Sequence, residues 1–432
     1  MKILMSCLVM GDKLLTPTLP DPSNTVTPKV YGFHINQNEV ENDPTGCVTY
    51  LEDAIGMTPA YYDSNAGKVN LGSWENREDF LRTKSCMLNY DGTVAYYLDS
   101  NDETKKEDGT PSDVANPEFP GNAMVEWNQI WYKFVNDTDG NGVSVYVSDS
   151  QLDENYVAWS CYDANNNLQD HFYRPKYSAT MIDGTLRSLS GFAPISNTEE
   201  SSIDVMAEIA GATKNNTLGN LEGNRWYTET YSDYILEWIL LVLFGKTLNI
   251  QSVFGLGYSH SHVDTHAINS GTANGRGDFS GDIGGEEVSK VFGMENTWGN
   301  QFRRIAGLTT DSEFRQLVKL TPNTADGSSA SSYNTDGTGY LQGHKFDNSI
   351  MGDNIGIKEL EFDERGFYTI ADTFTPANTS KYYCTNTYID GGRYAYIGGH
   401  YASGSTPSPL YIFLSSRITS KHDYIGTSIS FR

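Results

Sequence analysis

Residues 382–432 constrain this chain most, because they alternate as strands do and are punctuated by glycines. The stretch opens on Tyr382-Tyr-Cys-Thr and continues through Tyr396-Ile-Gly-Gly-His-Tyr401, Pro409-Leu-Tyr-Ile-Phe-Leu414 and Tyr424-Ile-Gly-Thr-Ser-Ile-Ser-Phe431. In the last two phrases apolar residues alternate with small or polar ones, the period of half-buried strands. Gly398, Gly399, Gly404 and Gly426 mark bends or close backbone approaches. Ile397, Leu410, Ile412, Ile425 and Ile429 are the positions expected to hold the fold. The residues around them mix chemistries that a core does not need. Arg393, Tyr394, Tyr396, His400 and Tyr401 come first, followed by Ser403, Thr406, Ser408, Tyr411 and Phe413. Ser415, Ser416, Arg417, Lys421, His422 and Asp423 complete the set. Aromatic, basic, acidic and hydroxyl groups in one stretch predict a contact surface.

Charge separates this stretch from the rest. The chain carries a formal net charge of −25, which argues against nucleic acid or an anionic bilayer as the main partner. Residues 382–432, by contrast, hold four Lys/Arg (393, 417, 421, 432) against two Asp (390, 423). The acidity therefore belongs to the body and not to the proposed contact face.

A chain of 432 residues makes two or three domains at about 150 residues each. Residues 1–30 read as an arm or linker, with prolines at 17, 20, 22 and 28. Met1–Met10 is apolar but stops at Gly11-Asp12-Lys13, so an unprocessed arm is expected, with a signal peptide as the alternative. Residues 31–118 read as a small docking domain. Asp43-Pro44 starts a predicted helix with Val48, Leu51 and Ile55 on one face and Gly56 as its stop. Cys86–Leu98 predicts a hairpin turning at Asp91-Gly92. The charged, Gly- and Pro-containing run from Asp99 to Pro120 marks the expected boundary.

Residues 119–432 form the expected display domain. Strands are predicted over 124–135 and 143–147, and again over 156–162 and 171–173 with a turn at Asn165–Asn167. Helices are predicted over about 199–213 and 229–244. The apolar run at 235–244 is too short to span a bilayer. Long polar loops at 255–290 and 321–343 follow, which together with the helices and strands predicts an α+β class.

Two motifs invite a metal. Asp137-Thr-Asp-Gly-Asn-Gly142 begins like a calcium loop, but Ser148 stands where the closing Glu belongs, and a polar hairpin turn explains it better. His260, His262 and His266 crowd into seven residues and are the candidate transition-metal ligands, with Asp264 nearby. A polar loop gathers histidines without any ligand role as well. Five cysteines, at 7, 47, 86, 161 and 384, show no CxxC pair, and reduced buried thiols are expected. No Ser-His-Asp order or acid pair stands in a recognisable catalytic setting, and no catalytic residue is assigned.

The phrases Tyr-Tyr-Cys, Ile-Gly-Gly, Pro-Leu-Tyr and Tyr-Ile-Gly-Thr-Ser-Ile-Ser, in that order within 382–430, resemble the C-terminal C-type-lectin-type domain of phage tail tip proteins. The similarity is greatest to those whose ends are diversified by a mutagenic retroelement. Val291-Phe-Gly-Met-Glu-Asn-Thr-Trp-Gly-Asn-Gln-Phe-Arg-Arg304 resembles the same family, which shares its fold with the formylglycine-generating enzymes. The resemblance covers roughly residues 120–432 and makes Trp298 a core residue. It implies an α+β C-type-lectin-like domain, with two helices, a curled antiparallel sheet and long loops, beside a smaller N-terminal domain. It implies a variable region at about 393–423, a host cell-surface receptor of protein or glycan as partner, and other tail proteins as neighbours. The expected setting is a virion tail assembled in the bacterial cytoplasm. A homo-oligomer, preferably a trimer, follows from the need for avidity. No enzyme activity, cofactor, nucleic acid or membrane insertion is expected. Cys384 lacks the second thiol that the oxidase members use, and the Glu-Pro-Asn or Gln-Pro-Asp motif of calcium-dependent sugar binding is absent. The alternatives are a structural tail or baseplate component without its own receptor, and a degenerate formylglycine-generating-enzyme-like protein.

Overall fold

Antiparallel strands carry this fold, and one buried helix is wedged among them. A computed structural model describes residues 27–40, 42–196, 225–260, 266–321, 339–346, 355–374, 383–385, 393–417 and 421–432. Side chains are described for all of these except 374, 383–385, 393–394 and 416–417.

One sheet has the spatial order Val48–Glu52, Val30–Asn36, Gly142–Ser148, Trp131–Asn136. A second, seven-stranded sheet runs Trp226–Thr228, Ile429–Phe431, His171–Pro175, Gly121–Asn128, Thr83–Asn89, Val94–Asp99, Asp102–Lys106. A third sheet contains Phe302–Thr310, Arg393–Ile397 and Ile412–Arg417 at its centre and the hairpin Ile355–Asp363/Phe367–Phe374 at one end. Ile425–Gly426 joins this sheet by pairing parallel to Phe302 and Arg303.

The helix Tyr231–Gly245 starts where its sequence says it should. Thr230 is the N-cap, and Asp233 returns the bond by accepting from the Thr230 N–H at 3.0 Å. The helix stops at Lys246, which adopts a left-handed φ of 49°. Every residue of it is buried, the condition of a helix enclosed on all sides. Phe33 and Trp238 touch edge to face at 6.5 Å on the side of the first sheet, and Tyr368 meets Trp238 at 4.9 Å on the side of the third. At the far end Phe244 stacks on Trp74 at 4.7 Å. Such ring pairs add about 0.5–1.5 kcal/mol each beyond burial. Glu237, the charge in the run, ends on Arg174 at 2.6 Å. No helix among the described residues is long and apolar enough to cross a membrane.

The α+β expectation is corrected by this architecture. Strands dominate, and the described helices are Tyr231–Gly245 and the four-residue Gln251–Phe254. The helix expected at 199–213 lies outside the described residues. The helix expected to start at Asp43 does not form. Asp43 accepts instead from the N–H groups of Thr45 and Gly46, at 3.2 and 2.7 Å, in a turn. Val48–Glu52 then pairs with Tyr31–Ile35 as a strand. Its helix-like spacing buries only Val48 fully and leaves Ile55 70% exposed, so long-range pairing overrides the local pattern. Residues 156–162 hold a short 3-10 turn, Trp159–Cys161, where a strand was expected.

The division expected at residues 118/119 does not separate two cores. Thr83–Asn89 pairs with Gly121–Asn128 from Thr83↔Trp127 to Asn89↔Gly121. Val30–Asn36 pairs with Gly142–Ser148 along its whole length. The Asp91-Gly92 hairpin forms as predicted, and its tip is covered by the far end of the sequence. Gly92 has a φ of +83°, and a Cβ there would sit 2.1 Å from the Phe431 ring.

Candidate ligand-contact surface

Phe302 organises the region that the sequence marks as a contact surface. It is 3% exposed, and its ring lies 5.3 Å from Tyr411, 5.4 Å from Phe413, 5.3 Å from His400 and 6.2 Å from Tyr424. The strands explain the convergence. Phe302–Thr310 is flanked by Arg393–Ile397 on one side and Ile425–Gly426 on the other, and Tyr396 pairs with Phe413.

This packing divides the expected contact residues. Tyr396, Tyr401, Ser408, Tyr411 and Ser415 are buried, at 0%, 6%, 2%, 4% and 9% exposure, and are corrected from surface to core or near-core. The tyrosines are drawn in because the apolar neighbourhood of Phe302 takes their rings. His400, Ser403, Thr406, Phe413 and His422 are half-buried, and Lys421 and Asp423 are exposed. Arg393, Tyr394, Ser416 and Arg417 belong to strands, and their side chains lie outside the description. Ile397, Leu410, Ile412, Ile425 and Ile429 are all buried, as expected.

His400 and His422 both stack on Tyr424, with centroids 4.6 and 4.8 Å away and interplanar angles of 21° and 12°. Tyr401 crosses His400 edge to face at 5.2 Å and donates its hydroxyl to Asp423 at 3.2 Å. Burial pulls the His400 imidazole down to about 4, against the opposing pull of Asp423. Burial likewise lowers His422, again with Asp423 opposing. The Ala402 N–H donates to His400 Nδ1 at 3.3 Å, which assigns the neutral ring its proton at Nε2. Burial and Asp423 push the Tyr401 phenol up to about 12.

The loop bearing these groups is fastened from below. Gly398 accepts from the Gly299 N–H at 3.0 Å, Tyr401 N–H donates to Asn300 O at 3.0 Å, and Gly404 N–H donates to Ser259 O at 3.0 Å. Gln251 adds side-chain bonds to the carbonyls of Ser405 and Pro407. Gly398 needs its φ of +92°, and a Cβ there would press on Trp298 at 3.0 Å. Trp298 itself is fully buried and donates to Gly255 O at 3.0 Å, the core role expected of it. Chemically, the patch offers two neutral imidazoles, ring faces, one cation, one carboxylate and hydroxyls on a fixed frame.

Beneath it lies a buried charge network. Glu229 accepts from Arg174, from Arg303 at 2.5 Å and from Ser428 at 2.7 Å. Burial would raise the Glu229 carboxyl, but Arg174 and Arg303 outweigh it and bring it down to about 2. Arg303 is thereby structural. Of the proposed metal ligands, His260 and His266 are described and His262 is not. His260 Nδ1 lies 3.3 Å from Ser259 Oγ, and among the described residues no three His, Cys, Asp or Glu side chains converge to hold a metal. The 137–142 segment is a hairpin turn, with Asp137 N–H donating to Gly142 O at 3.0 Å. Cys47, Cys86 and Cys161 are buried free thiols.

Tyr424 and Phe302 were missed as members of this site. Tyr424 adjoins the His422-Asp423 pair in the sequence and was within reach. Phe302 carries no local signal, because its role comes from strand pairing. No protein-family model matches the chain, and no curated protein is significantly similar to it.

Proposed function

We propose that this chain is a receptor-binding protein of the phage-tail type, which presents the patch around Tyr424 to a host cell-surface ligand. The observation that carries the reading is the pair of imidazoles stacked on Tyr424 beside exposed Lys421 and Asp423, all on a loop and strands with a buried core. Stacking faces and adaptable hydrogen bonds at low ordering cost are what a paratope uses. A rigid frame limits the entropy lost when the ligand is held. The residue phrases shared with retroelement-diversified tail proteins support the same reading, as does the acidic body behind a slightly basic end. In this reading the protein sits in a virion tail among other tail proteins, as a homo-oligomer whose copies bind together.

The test is adsorption. Lys421→Ser, His422→Ser and Asp423→Ser together replace side chains at the accessible edge of the patch. The fold should hold, since the buried isoleucines are untouched, with about 1–3 kcal/mol lost with the His422–Tyr424 stack and the Tyr401–Asp423 hydrogen bond. Adsorption to the host should fall or shift to another strain. Unchanged adsorption by a folded triple variant would remove the patch from receptor binding.

A further inference from the structure

A separate cleft of about 690 Å³ lies between the 67–82 segment and the 276–281 loop. A side lobe of about 330 Å³ shares Arg77, Arg82, Ser100, Asn101 and Asp278 with it. Small-molecule sites span roughly 300–1,000 Å³. The lining of the larger cleft carries four Lys/Arg against three Asp/Glu, on a chain whose net charge is −25.

Arg77 makes this cleft a built site. The residue is 7% exposed, yet it lines both parts of the cleft. Its Nε and Nη1 donate to the carbonyls of Leu81 and Trp74, at 3.3 and 3.1 Å. Its guanidinium lies over the rings of Phe279 and Phe244, 5.5 and 6.0 Å from their centroids. Backbone carbonyls and ring faces thus hold the group in place. Among the described residues no carboxylate closes to ion-pair distance on it; Asp278 and Glu75, which line the same cleft, act on it from farther off. A buried guanidinium is usually matched to a carboxylate or phosphate, often by two parallel bonds. Arg82 stands beside it, donates to the Arg77 carbonyl at 3.1 Å and makes a 3.6 Å surface ion pair with the fully exposed Asp79, which a bound carboxylate would have to replace.

We propose that the cleft binds a small polyhydroxylated monoanion, the chemistry of a sugar acid, with Arg77 and Arg82 taking its carboxylate. The acidic members of the lining decide between anions. Glu75 and Asp278 repel a phosphate dianion more strongly than a monoanion and have oxygens that can accept from sugar hydroxyls, while Glu287 is held by Arg276. Ser100 and Asn101 offer further hydroxyl and amide partners, and the Phe279 ring offers a face to the apolar side of a pyranose. None of these residues belongs to the patch around Tyr424. The inference therefore stands apart from the receptor reading, and either can fail without the other.

Calorimetric titration of the full chain with galacturonic acid, a monoanion at neutral pH, against its methyl ester as the neutral control, tests the site. Saturable binding of the acid at or below about 1 mM is expected, with at least a tenfold loss for the ester. Arg82→Gln, a half-exposed position, should fold normally and weaken the acid at least tenfold. Arg77→Lys keeps the charge but loses the planar fork, and should weaken it comparably. Absence of saturable binding to the wild type would overturn the proposal. So would equal affinity for acid and ester, or full affinity retained in a folded Arg82→Gln variant.

Discussion

Arg432 turns inward and donates from Nη2 to the carboxylate of Asp233, with both side chains fully enclosed. Asp233 is at the same time the reciprocal partner in the cap of the Tyr231–Gly245 helix. Arg432 Nε reaches the Ser160 carbonyl at 2.5 Å, and its guanidinium lies 5.8 Å from the Phe172 ring centroid. One side chain thus joins the helix start, the 159–161 turn and the His171–Pro175 strand.

Removing one member of such a pair leaves a buried charge without compensation, at a cost of about 3–5 kcal/mol. Arg432→Met is expected to destabilise by that amount in urea unfolding. Adding Asp233→Ser, which keeps a capping oxygen but removes the stranded charge, should recover part of the loss. A single variant as stable as wild type would show that the pair contributes nothing net.

Glu103 is the centre of a second enclosed cluster, and its charge is shared. Its Oε1 accepts from Lys176 at 3.0 Å and from Lys290, while Oε2 accepts from the Gly275 N–H at 3.0 Å. All three ionisable side chains are at 0% exposure. Burial and the neighbouring Lys176 charge bring Lys290 down to about 8, against the pull of Glu103. Glu103→Gln leaves two enclosed ammonium groups facing a neutral amide. We expect a loss of about 3–5 kcal/mol, seen as a lower urea midpoint at unchanged slope. The double variant Glu103→Gln/Lys290→Met should be more stable than Glu103→Gln alone. If it is not, the lysine charge is not what makes the single change costly.

How far the sequence could be read depends on whether each signal was local. The Asp91-Gly92 turn carries its chemistry within a few residues and formed where expected, and the helix expected over about 229–244 formed as Tyr231–Gly245. The Val48, Leu51, Ile55 spacing was equally local but misleading, because pairing with Val30–Asn36 decided the outcome. The core isoleucines of the last fifty residues were legible from alternation. The tyrosines among them were not. A tyrosine suits a paratope or a core equally well, and Tyr396 and Tyr411 were settled by Phe302, far off in sequence. Arg77 and Asp278 left no motif at all, since the cleft exists only once the 67–82 segment meets the 276–281 loop.

The patch around Tyr424 should respond to acid through His400. Its imidazole has a folded pKa of about 4, below the ordinary value of 6.5, because burial disfavours the charged ring. Between those two values the unfolded chain binds more protons than the folded one, so stability rises with pH. The contribution is whole above about pH 6.5, declines as pH falls below it, and is fully lost below about pH 4. Asp423 favours protonation, but it does not offset the cost of burying the ring. His400→Phe keeps a ring against Tyr424 and has no proton to gain. The stability difference between wild type and His400→Phe should therefore shrink or reverse as pH is lowered from 6.5 to 4 and then level off. Proton NMR should place the His400 titration near 4. Parallel stability curves for the two proteins, or a midpoint near 6.5, would mean that the imidazole stays hydrated and does not stack under cover of the loop.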